Sequence, residues 1–222
     1  MIIAVDGPAG AGKSTVAKIL AKKLGFLYID TGAMYRALTW KALEKGVDIN
    51  DPAAMEALAK DSLIDLRNSP QGLTVFIDNH DVTAAIREPR VSARVSDVAK
   101  IAGVRFIMAG LQRRLGHAKD SILDGRDIGT VVFPKANVKF FIDASSDERV
   151  NRRFKDFKDL NINDVSREQV KHDLANRDRI DSTRECAPLK KADDAIYLDT
   201  TALSIEQVVA QMSELISNRL KK

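Results

Sequence analysis

The segment 7–14 combines three glycines with a lysine and a hydroxyl group in the order GPAGAGKS. This order matches the GxxxxGK[ST] pattern, in which glycines let the backbone curl so that successive N–H groups converge on phosphate oxygens. Lys13 is expected to neutralise phosphate charge, and the Ser14 hydroxyl is expected to bind Mg²⁺. The residues predicted to bind the donor are Gly7, Pro8, Ala9, Gly10, Ala11, Gly12, Lys13, Ser14 and Thr15. The pattern predicts that ATP or GTP binds here with Mg²⁺.

Arginine is the second residue type with obvious chemical potential, and it is concentrated in the second half of the chain. These arginines are Arg113, Arg114, Arg126, Arg149, Arg152, Arg153, Arg177, Arg179 and Arg184. A planar guanidinium pairs with two phosphate oxygens at once and stays charged. Because motors, switches and kinases share the phosphate loop, the arginines indicate either a nucleic-acid surface or a pocket for a small anionic substrate.

The overall composition does not decide between a nucleic-acid surface and a small-substrate pocket. The chain has 35 Lys+Arg against 31 Asp+Glu, a net charge of only +4. Its N-terminus lacks the features of a signal peptide, and no stretch approaches the roughly 18 apolar residues that span a membrane. The single cysteine, Cys186, cannot form an internal disulfide. We therefore expect a protein of the reduced cytoplasm, with no membrane partner.

Short apolar runs alternate with helical patterns along the chain, which is the order expected of a parallel β-sheet. The predicted strands are residues 2–5, 26–29, 121–123, 138–142 and 195–198. The phosphate loop then directly follows the first strand and begins the first helix. The pattern predicts an α/β fold with a five-stranded parallel sheet.

The first and last helices carry clear signals of their ends and buried faces. Gly25 follows the first helix, at a position where a helix C-terminus tolerates positive φ. Ser204 and Gln207 form a capping-box pattern before the last helix. The predicted buried face of the first helix comprises Val16, Ile19, Leu20 and Leu24. That of the last helix comprises Ile205, Val208, Val209, Met212, Leu215, Ile216 and Leu220.

Two segments interrupt the alternation of strands and helices and are predicted to be insertions. Residues 62–97 include apolar and polar residues in alternation between turn-prone stretches, which favours a small antiparallel sheet. Residues 145–184 are predicted to form a charged helical hairpin, in which capping boxes pair Ser145 with Glu148 and Ser166 with Gln169. Because this helical hairpin offers little apolar surface, it is predicted to be a mobile lid. The predicted core comprises residues 1–61 and 98–222, with the lid inside it.

Three further motifs follow the phosphate loop in order: DTGAMYR (30–36), DGRDIGTVVFP (124–134) and RDRIDSTRECAPL (177–189). Together they resemble the bacterial cytidylate kinase family, and the resemblance covers nearly the whole chain. It implies a P-loop kinase fold with an insertion that binds a nucleoside monophosphate and a lid. It also implies transfer of the γ-phosphoryl group of Mg-ATP to CMP or dCMP, by electrostatic and positional catalysis without a general base.

The resemblance assigns roles to individual arginines. Arg36, Arg126 and Arg177 match family positions that grip the acceptor α-phosphate. Arg152 and Arg153, on the predicted lid, resemble arginines that swing onto the transferring group. The implied catalytic residues are Lys13, Arg126, Arg152, Arg153 and Arg177. The implied substrate-binding residues are Thr31, Arg36, Ser96, Arg105, Arg126, Asp127, Arg177, Asp181 and Arg184.

Hydrogen-bond polarity separates cytosine from uracil. Cytosine presents an amino donor and a ring-nitrogen acceptor where uracil presents a carbonyl acceptor and an N–H donor. Asp127 supplies an acceptor and Arg105 a donor, and both match family positions that face the base, as does Thr31. Asp181 and Ser96 resemble positions that contact the ribose. Asp124 is expected either to assist Mg²⁺ or to hold the glycine-containing turn after it.

Alternative interpretations remain for single residues and for the function. A solvent-exposed helix residue is the alternative for Arg105, Arg152 or Arg153 taken alone. The competing functions are a nucleotide-dependent switch or nucleic-acid-binding ATPase, and a kinase for UMP, AMP or another small acceptor. The arginines accompany Asp and Gly instead of aromatic residues, so we expect no nucleic-acid partner. The expected partners are ATP and CMP or dCMP, bound by a monomer.

Overall fold

The computed structural model describes residues 1–69, 72–159, 162 and 165–220. The strands are β1 (Ile2–Asp6), β2 (Leu27–Asp30), β3 (Ile64–Ser69), β4 (Gly72–Ile77), β5 (His80–Asp81), β6 (Ser121–Gly125), β7 (Val138–Asp143) and β8 (Ile196–Asp199). The helices are α1 (Lys13–Leu24), α2 (Thr31–Glu44), α3 (Pro52–Lys60), α4 (Pro89–Ala99), α5 (Ala102–Ala118), α6 (Ser146–Asp159), α7 (Arg167–Thr183) and α8 (Ile205–Leu220). A 3₁₀ turn spans Ala85–Arg87 and a π-helical turn spans Ile128–Val132. Within these residues, no helix is both long and apolar enough to cross a membrane.

A five-stranded parallel sheet in the order β2-β6-β1-β7-β8 forms the centre of the fold, which confirms the predicted fold class. Parallel strands present their carboxyl ends at one edge, which is where such sheets bind ligands. Asp6, Asp30 and Asp124 stand at the ends of β1, β2 and β6, and Asp30 pairs in register with Asp124. The topology therefore brings three carboxylates to the edge that follows the phosphate-loop strand.

Helix α1 ends as the sequence predicts, but its buried face differs from the prediction. Gly25 adopts φ 71° and its N–H bonds to the carbonyl of Ala21. Ile19 was predicted to be buried, and this was wrong, because 40% of it is exposed. The small side chains of Ala17 and Ala21 are buried in the same helix. They allow the helix to approach the sheet closely, so the packed face is rotated away from Ile19.

The insertion contains a small antiparallel sheet, as predicted, in the order β3-β4-β5. Val75 and Ile77 point inward from β4 and are almost fully buried. They belong to the same apolar cluster as Ala4 and Leu123 of the parallel sheet. The insertion thus shares a hydrophobic core with the parallel sheet, and the predicted boundary at residue 97 falls inside α4.

The helical hairpin consists of α6 and α7, and each helix forms the serine half of its predicted capping box, whereas the N–H of Ser145 donates to Thr201 and the Gln169 side chain donates to Asp173. Ser166 caps α7 by accepting from the N–H of Gln169 at 3.1 Å. Ser145 accepts from the N–H of Glu148 at 3.3 Å. The prediction that the hairpin has too little apolar surface to pack tightly was wrong, because it encloses a buried cluster of Val150, Phe157, Val170 and Leu174, together with Ala9. The connection 159–164 lies mostly outside the described residues, and lid movement stays a prediction.

Helix α8 begins with the complete capping box that the sequence predicts. The N–H of Gln207 donates to the Ser204 hydroxyl at 3.3 Å, and the N–H of Ser204 donates to the Gln207 side chain at 2.8 Å. Val208, Val209, Met212 and Ile216 are buried against the sheet. The predicted burial of Ile205 was wrong, because 46% of this first-turn residue is exposed. The Leu220 side chain lies outside the described part of the chain.

Candidate active site

The phosphate loop (residues 7–14) joins the end of β1 to the start of α1, as predicted. Gly7 adopts φ +147°, and a Cβ there would lie 1.9 Å from the carbonyl oxygen of Ile142. Only glycine fits so close to a neighbouring strand. The N–H groups that begin a helix lack intrahelical partners, and the helix dipole adds partial positive charge. The loop therefore presents a ready site for an anionic phosphate.

The other loop residues predicted to bind the donor lie in this turn or in the first turn of α1. Gly10 and Gly12 also adopt positive φ. The carbonyl of Ala11 accepts from Arg152 at 3.4 Å. Thr15 is exposed in the first turn of the helix. These placements are compatible with the predicted cradle.

Lys13 is a buried cation whose side chain folds back over the loop. Only 5% of the residue is exposed, and its Nζ donates to the carbonyl of Pro8 at 2.6 Å. Burial, followed by repulsion from Arg126, lowers the pKa of Lys13 to about 7. An arriving anion favours the protonated form. Lys13 is therefore expected to gain a proton when a phosphate enters the loop.

We expect wild-type protein to take up more protons than Lys13→Met when ADP binds slightly above neutral pH. The phosphate oxygens raise the pKa of Lys13 from about 7, so its protonated fraction rises on binding. Isothermal titration calorimetry in buffers of different ionisation enthalpy measures this uptake. The titration of ADP itself is common to both proteins, so the difference reports Lys13. Equal proton uptake by the two proteins would contradict the assignment.

Asp124 holds three elements together at the end of β6. Its carboxylate accepts from the Ser14 hydroxyl at 2.6 Å and from the Tyr28 hydroxyl at 2.9 Å. Its carbonyl accepts from the Thr31 hydroxyl at 2.7 Å. Burial, followed by repulsion from Asp30, raises the pKa of Asp124 to about 6. Asp124 therefore has a structural role, and it also lies beside the predicted Mg²⁺ ligand.

Ser14 and Asp124 are the candidate residues for a divalent cation. Hydroxyl and carboxylate oxygens are the ligand types that Mg²⁺ prefers, and it takes its other ligands from substrate phosphates and water. Within the described residues, no group of three or more His, Cys, Asp or Glu side chains is arranged to hold a metal. This donor set fits a cation that arrives with a nucleotide.

Asp6 is a buried carboxylate that the sequence reasoning missed. It accepts from the N–H groups of Ile128 and Gly129 at 2.8 and 2.7 Å. These two groups begin the π-helical turn that directly follows Asp127. Burial raises the pKa of Asp6 to about 6 despite these bonds. Asp6 thereby ties the strand before the phosphate loop to the turn that carries a predicted base-reading residue.

A series of alternating charges links five predicted site residues. Arg126 Nε donates to Asp181 at 2.9 Å, and Arg184 lies 3.4 Å from the other oxygen of Asp181. Arg184 also lies 3.7 Å from Asp127, which accepts from Arg105 at 2.5 Å. Burial raises the pKa of Asp181, but Arg126 and Arg184 together hold it below its ordinary value. This series of ion pairs therefore connects Arg126, a predicted ligand of the α-phosphate, with Asp127 and Arg105, the predicted base-reading residues.

Arg105 is buried in α5, which excludes the alternative of an exposed helix residue. Only 5% of it is exposed, and Nη1 donates to the carbonyl of Ala99 at 2.9 Å. Its guanidinium also lies 5.6 Å from the centre of the Tyr35 ring. Its buried Nε–H has no hydrogen-bond partner among the described residues. Arg105 therefore retains one free donor beside Asp127.

Arg36 and Arg177 lie on separate helices but share one electrostatic environment. Arg36, on α2, pairs with Asp30 at 3.0 Å. Burial, followed by repulsion from Arg126, lowers the pKa of Arg177 to about 9, and Arg36 contributes to the same shift. The guanidinium still remains protonated at neutral pH. The Nε–H of Arg177 is buried without a partner among the described residues, so this cation is available to an anion.

Arg152 and Arg153 point in different directions from α6. Arg152 donates to the carbonyl of Thr200 at 2.6 Å and to its hydroxyl at 3.0 Å, beside the phosphate loop. Arg153 donates to Ser92 on α4 at 3.3 Å and lies over the ring of Phe157. Consecutive helix residues do not face the same side. That both reach the transferring group stays a prediction, and of these two arginines Arg152 is the one that contacts the loop, at the carbonyl of Ala11.

A cavity of about 340 Å³ separates α4 from the helical hairpin. Arg153 and Arg177 lie in its wall. Ser96, the predicted ribose contact on α4, is buried, with 5% exposed. The cavity falls within the usual size of small-molecule sites, roughly 300–1,000 Å³. Its size and these two arginines are compatible with a small anionic ligand.

Arg149 and Asp178 are two further charged residues that the sequence reasoning did not assign. They form an ion pair between α6 and α7. Arg149 also donates to the carbonyl of Ala9 at 3.1 Å, and Asp178 accepts from the N–H of Ala9 at 3.3 Å. The RD dipeptide at 177–178 was the only signal in the sequence, and it did not reveal the partner.

Comparison with solved structures supports the fold. Shikimate kinase from Acinetobacter baumannii superposes with a TM-score of 0.50 at 15% identity, covering 100% of this chain and 95% of that one. An uncharacterised protein from Eubacterium ventriosum gives a TM-score of 0.53 at 13% identity, with 98% of each chain covered. At such low identity, the likeness concerns the fold alone.

Comparison of sequences identifies the family. The model of the family described as cytidylate kinase matches residues 3–218. A cytidylate kinase of Bacillus licheniformis is 51% identical, covering 100% of this chain and 98% of that protein. A cytidylate kinase of Geobacillus thermodenitrificans is 49% identical, covering 98% and 97%. With its P-loop kinase fold and its charged site at the carboxyl edge of the sheet, this chain belongs to the cytidylate kinase family.

Proposed function

We propose that this protein transfers the γ-phosphoryl group of Mg-ATP to CMP or dCMP, giving ADP and CDP or dCDP. The observation that carries the proposal is the convergence of Lys13, Arg126 and Arg177. They come from the phosphate loop, the end of β6 and α7, yet Arg126 and Arg177 both lower the pKa of Lys13, and Arg126 also lowers the pKa of Arg177. Keeping like charges together costs folding free energy. Such a cluster is expected where phosphate charge is held during transfer.

The phosphate loop binds the donor. Its N–H groups and Lys13 hold the β- and γ-phosphates, with residues 7–15 forming the cradle. Ser14, oriented by Asp124 at 2.6 Å, is the residue that would hold Mg²⁺. When bound, Mg²⁺ neutralises charge on the phosphate oxygens. The chain itself contributes the fixed geometry of the loop.

Arg36, Arg126 and Arg177 grip the acceptor α-phosphate and align it with the donor. Arg126 is held by Asp181 and by the carbonyl of Gly125, so its direction is fixed before substrate binds. Prior orientation avoids reorganisation during the reaction. No general base is needed, because the attacking phosphate oxygen is already anionic near neutral pH. Catalysis is therefore positional and electrostatic.

The predicted lid arginines complete the cage during turnover. Arg152 is already beside the phosphate loop, at 3.4 Å from the carbonyl of Ala11. Arg153 faces α4 and the cavity instead. Closing of the helical hairpin around bound nucleotides would bring Arg153 toward the transferring group and exclude water.

Asp127 and Arg105 select cytosine. The free Nε–H of Arg105 offers a donor, and Asp127 offers its second oxygen, which lies 3.7 Å from Arg184 and beyond hydrogen-bond distance of it. Cytosine needs this combination, whereas uracil leaves the carboxylate facing a carbonyl. Thr31 adds a hydroxyl oxygen. Asp181 and Ser96 are assigned to the ribose, and Arg184 is assigned to substrate binding without a particular group.

The remaining proposals concern context. We infer that the protein acts as a monomer in the cytoplasm and that residues 62–97 serve as the monophosphate-binding insertion. Buried and paired arginines favour a pocket over a nucleic-acid surface, since a surface needs exposed cations. Arg105 and Arg184 are both buried.

The deciding experiment is an assay of ADP release from Mg-ATP, with CMP, dCMP, UMP, AMP or no acceptor. We expect CMP and dCMP to be phosphorylated far faster than UMP or AMP, because an unpaired buried polar contact costs about 10⁴ or more in discrimination. Turnover without an acceptor would indicate an ATPase. Equal turnover of AMP and CMP would also contradict the proposal.

A further inference from the structure

Ala9, Arg149 and Asp178 form a three-residue contact, here called the Ala9 clip, between the phosphate loop and the helical hairpin. Both backbone polar groups of Ala9 are bound: its N–H by Asp178 at 3.3 Å and its carbonyl by Arg149 at 3.1 Å. Arg149 also donates to Asp178, which closes the contact. The Ala9 side chain is 3% exposed, within the apolar cluster of the hairpin.

The Ala9 clip holds the phosphate loop and helices α6 and α7 together, so that they move as one body. Arg149 is anchored further by its Nε, which donates to the carbonyl of Ala144 at 3.1 Å. A Cβ at Gly10 would lie 3.0 Å from the carbonyl oxygen of Arg149, so the backbones of loop and helix are in direct contact. A displacement of the loop must therefore be transmitted to α6 and α7.

Asp178 is directly adjacent to Arg177, a predicted ligand of the acceptor phosphate. Consecutive side chains on a helix are separated by about 100° of rotation. While Asp178 faces the phosphate loop, Arg177 faces the cavity wall and the charges of Arg126 and Asp181. The Nε–H of Arg177 has no partner among the described residues. The rotation of α7, fixed by Asp178, therefore determines where Arg177 points.

Within the Ala9 clip, Arg149 compensates the negative charge of Asp178. A carboxylate beside a phosphate loop repels an incoming triphosphate unless a cation compensates it. Arg149 supplies this cation, and both side chains are largely removed from solvent, at 13% and 21% exposure. Arg149 therefore lets Asp178 hold the loop without weakening donor binding.

We propose that Asp178 and Arg149 are positioning residues that couple the two nucleotide sites, so that a bound donor triphosphate strengthens binding of the acceptor monophosphate through Arg177. The coupling rests on the proposed function, because it assigns the donor to the phosphate loop and the acceptor to Arg177. The phosphate loop gains contacts to the triphosphate only when the donor is bound. The clip transmits the resulting ordering of the loop to α7.

Four full-length proteins test the coupling: wild type, Asp178→Asn, Arg149→Met and the double variant. Calorimetry gives the Kd of CMP with and without a non-hydrolysable ATP analogue and Mg²⁺. We expect the analogue to tighten CMP binding about tenfold in wild type and hardly at all in Asp178→Asn. The matched control is Glu168→Gln, which replaces an exposed carboxylate in the first turn of α7, and it should keep the wild-type ratio.

Donor affinity gives an independent readout that simple destabilisation would not produce. Arg149→Met leaves Asp178 uncompensated, so the Kd of the ATP analogue should rise about tenfold, and adding Asp178→Asn should recover most of this loss. The double variant buries no unpaired charge, so its coupling can be measured even if a single variant unfolds.

The outcomes separate the clip from the proposed function. Wild-type coupling in Asp178→Asn or in the double variant, or no recovery of donor affinity in the double variant, would overturn the inference. Failure of wild type to phosphorylate CMP would overturn the proposed function instead.

Discussion

Arg126→Ala is expected to lower kcat for CMP phosphorylation by about 10³-fold, because it removes a fixed cation from the path of the transferring charge. Arg126 lies at the carboxyl edge of the sheet and is held by Asp181 at 2.9 Å. Its proximity depresses the pKa of Lys13, which shows that it shares the electrostatic environment of the phosphate loop. Steady-state kinetics with Mg-ATP and CMP measure the effect.

Two variants serve as controls for Arg126→Ala. Arg219→Ala removes an exposed arginine from α8 and should retain wild-type kcat. Arg126→Lys keeps the charge but loses the planar fork, so kcat should fall between the two. The fold should survive Arg126→Ala, since Asp181 still has Arg184 at 3.4 Å. If Arg126→Ala and Arg219→Ala had comparable kcat values, Arg126 would have no part in catalysis.

The parallel sheet and phosphate loop could be predicted because their signals are local. Each of the five strands is an apolar run with a turn residue nearby, and all five appear with ends shifted by only one or two residues. The loop pattern requires a strand before it and a helix after it, and the structure supplies both. Gly25 likewise marks the end of α1 through its own φ of 71°.

The width and direction of packed faces could not be predicted from periodicity alone. Ile19 and Ile205 have the spacing of buried residues but are 40% and 46% exposed. The partner surface decides which side of a helix is covered. For α1, the close packing of Ala17 and Ala21 turned the helix away from Ile19. A similar limit applied to Arg152 and Arg153, because a shared location on a lid does not give a shared direction.

Charge pairs between residues far apart in sequence were the part of the site that was hardest to predict from the sequence. Arg126 pairs with Asp181 across 55 residues of sequence, and Arg149 pairs with Asp178 across 29. With 35 basic and 31 acidic residues, charge alone cannot select these partners. Asp6 shows the same limit, since it binds the N–H groups of a π-helical turn that no sequence signal marks. Such contacts depend on topology, which only the folded chain specifies.

Lys13→Met is expected to lower kcat/KM for Mg-ATP by about 10³-fold while keeping the protein folded. The ammonium supplies charge to the phosphates that a thioether cannot replace. Methionine has a similar length and tolerates an apolar environment. Steady-state kinetics measure the loss, and Lys22→Met, at an exposed position in the same helix, is the matched control.

The stability of Lys13→Met separates catalytic from structural importance. The folded-state pKa of Lys13, about 7, lies below the ordinary lysine value of 10.5, so folding disfavours its charged form. The unfolded chain binds more protons between these two values, and stability from this group therefore rises with pH across that window. The cost of the charge is complete below pH 7 and disappears toward pH 10.5. Replacing the ammonium should therefore raise Tm most at the low-pH end of this window.

Thermal unfolding of both proteins across this pH window tests the argument. The difference in Tm, variant minus wild type, should decrease as pH rises, even though the variant is nearly inactive throughout. A variant that lost stability and activity together, with a pH-independent Tm difference, would indicate that Lys13 mainly supports the fold. We expect activity to fall while stability rises, because the buried charge of Lys13 destabilises the folded protein until a bound phosphate compensates it.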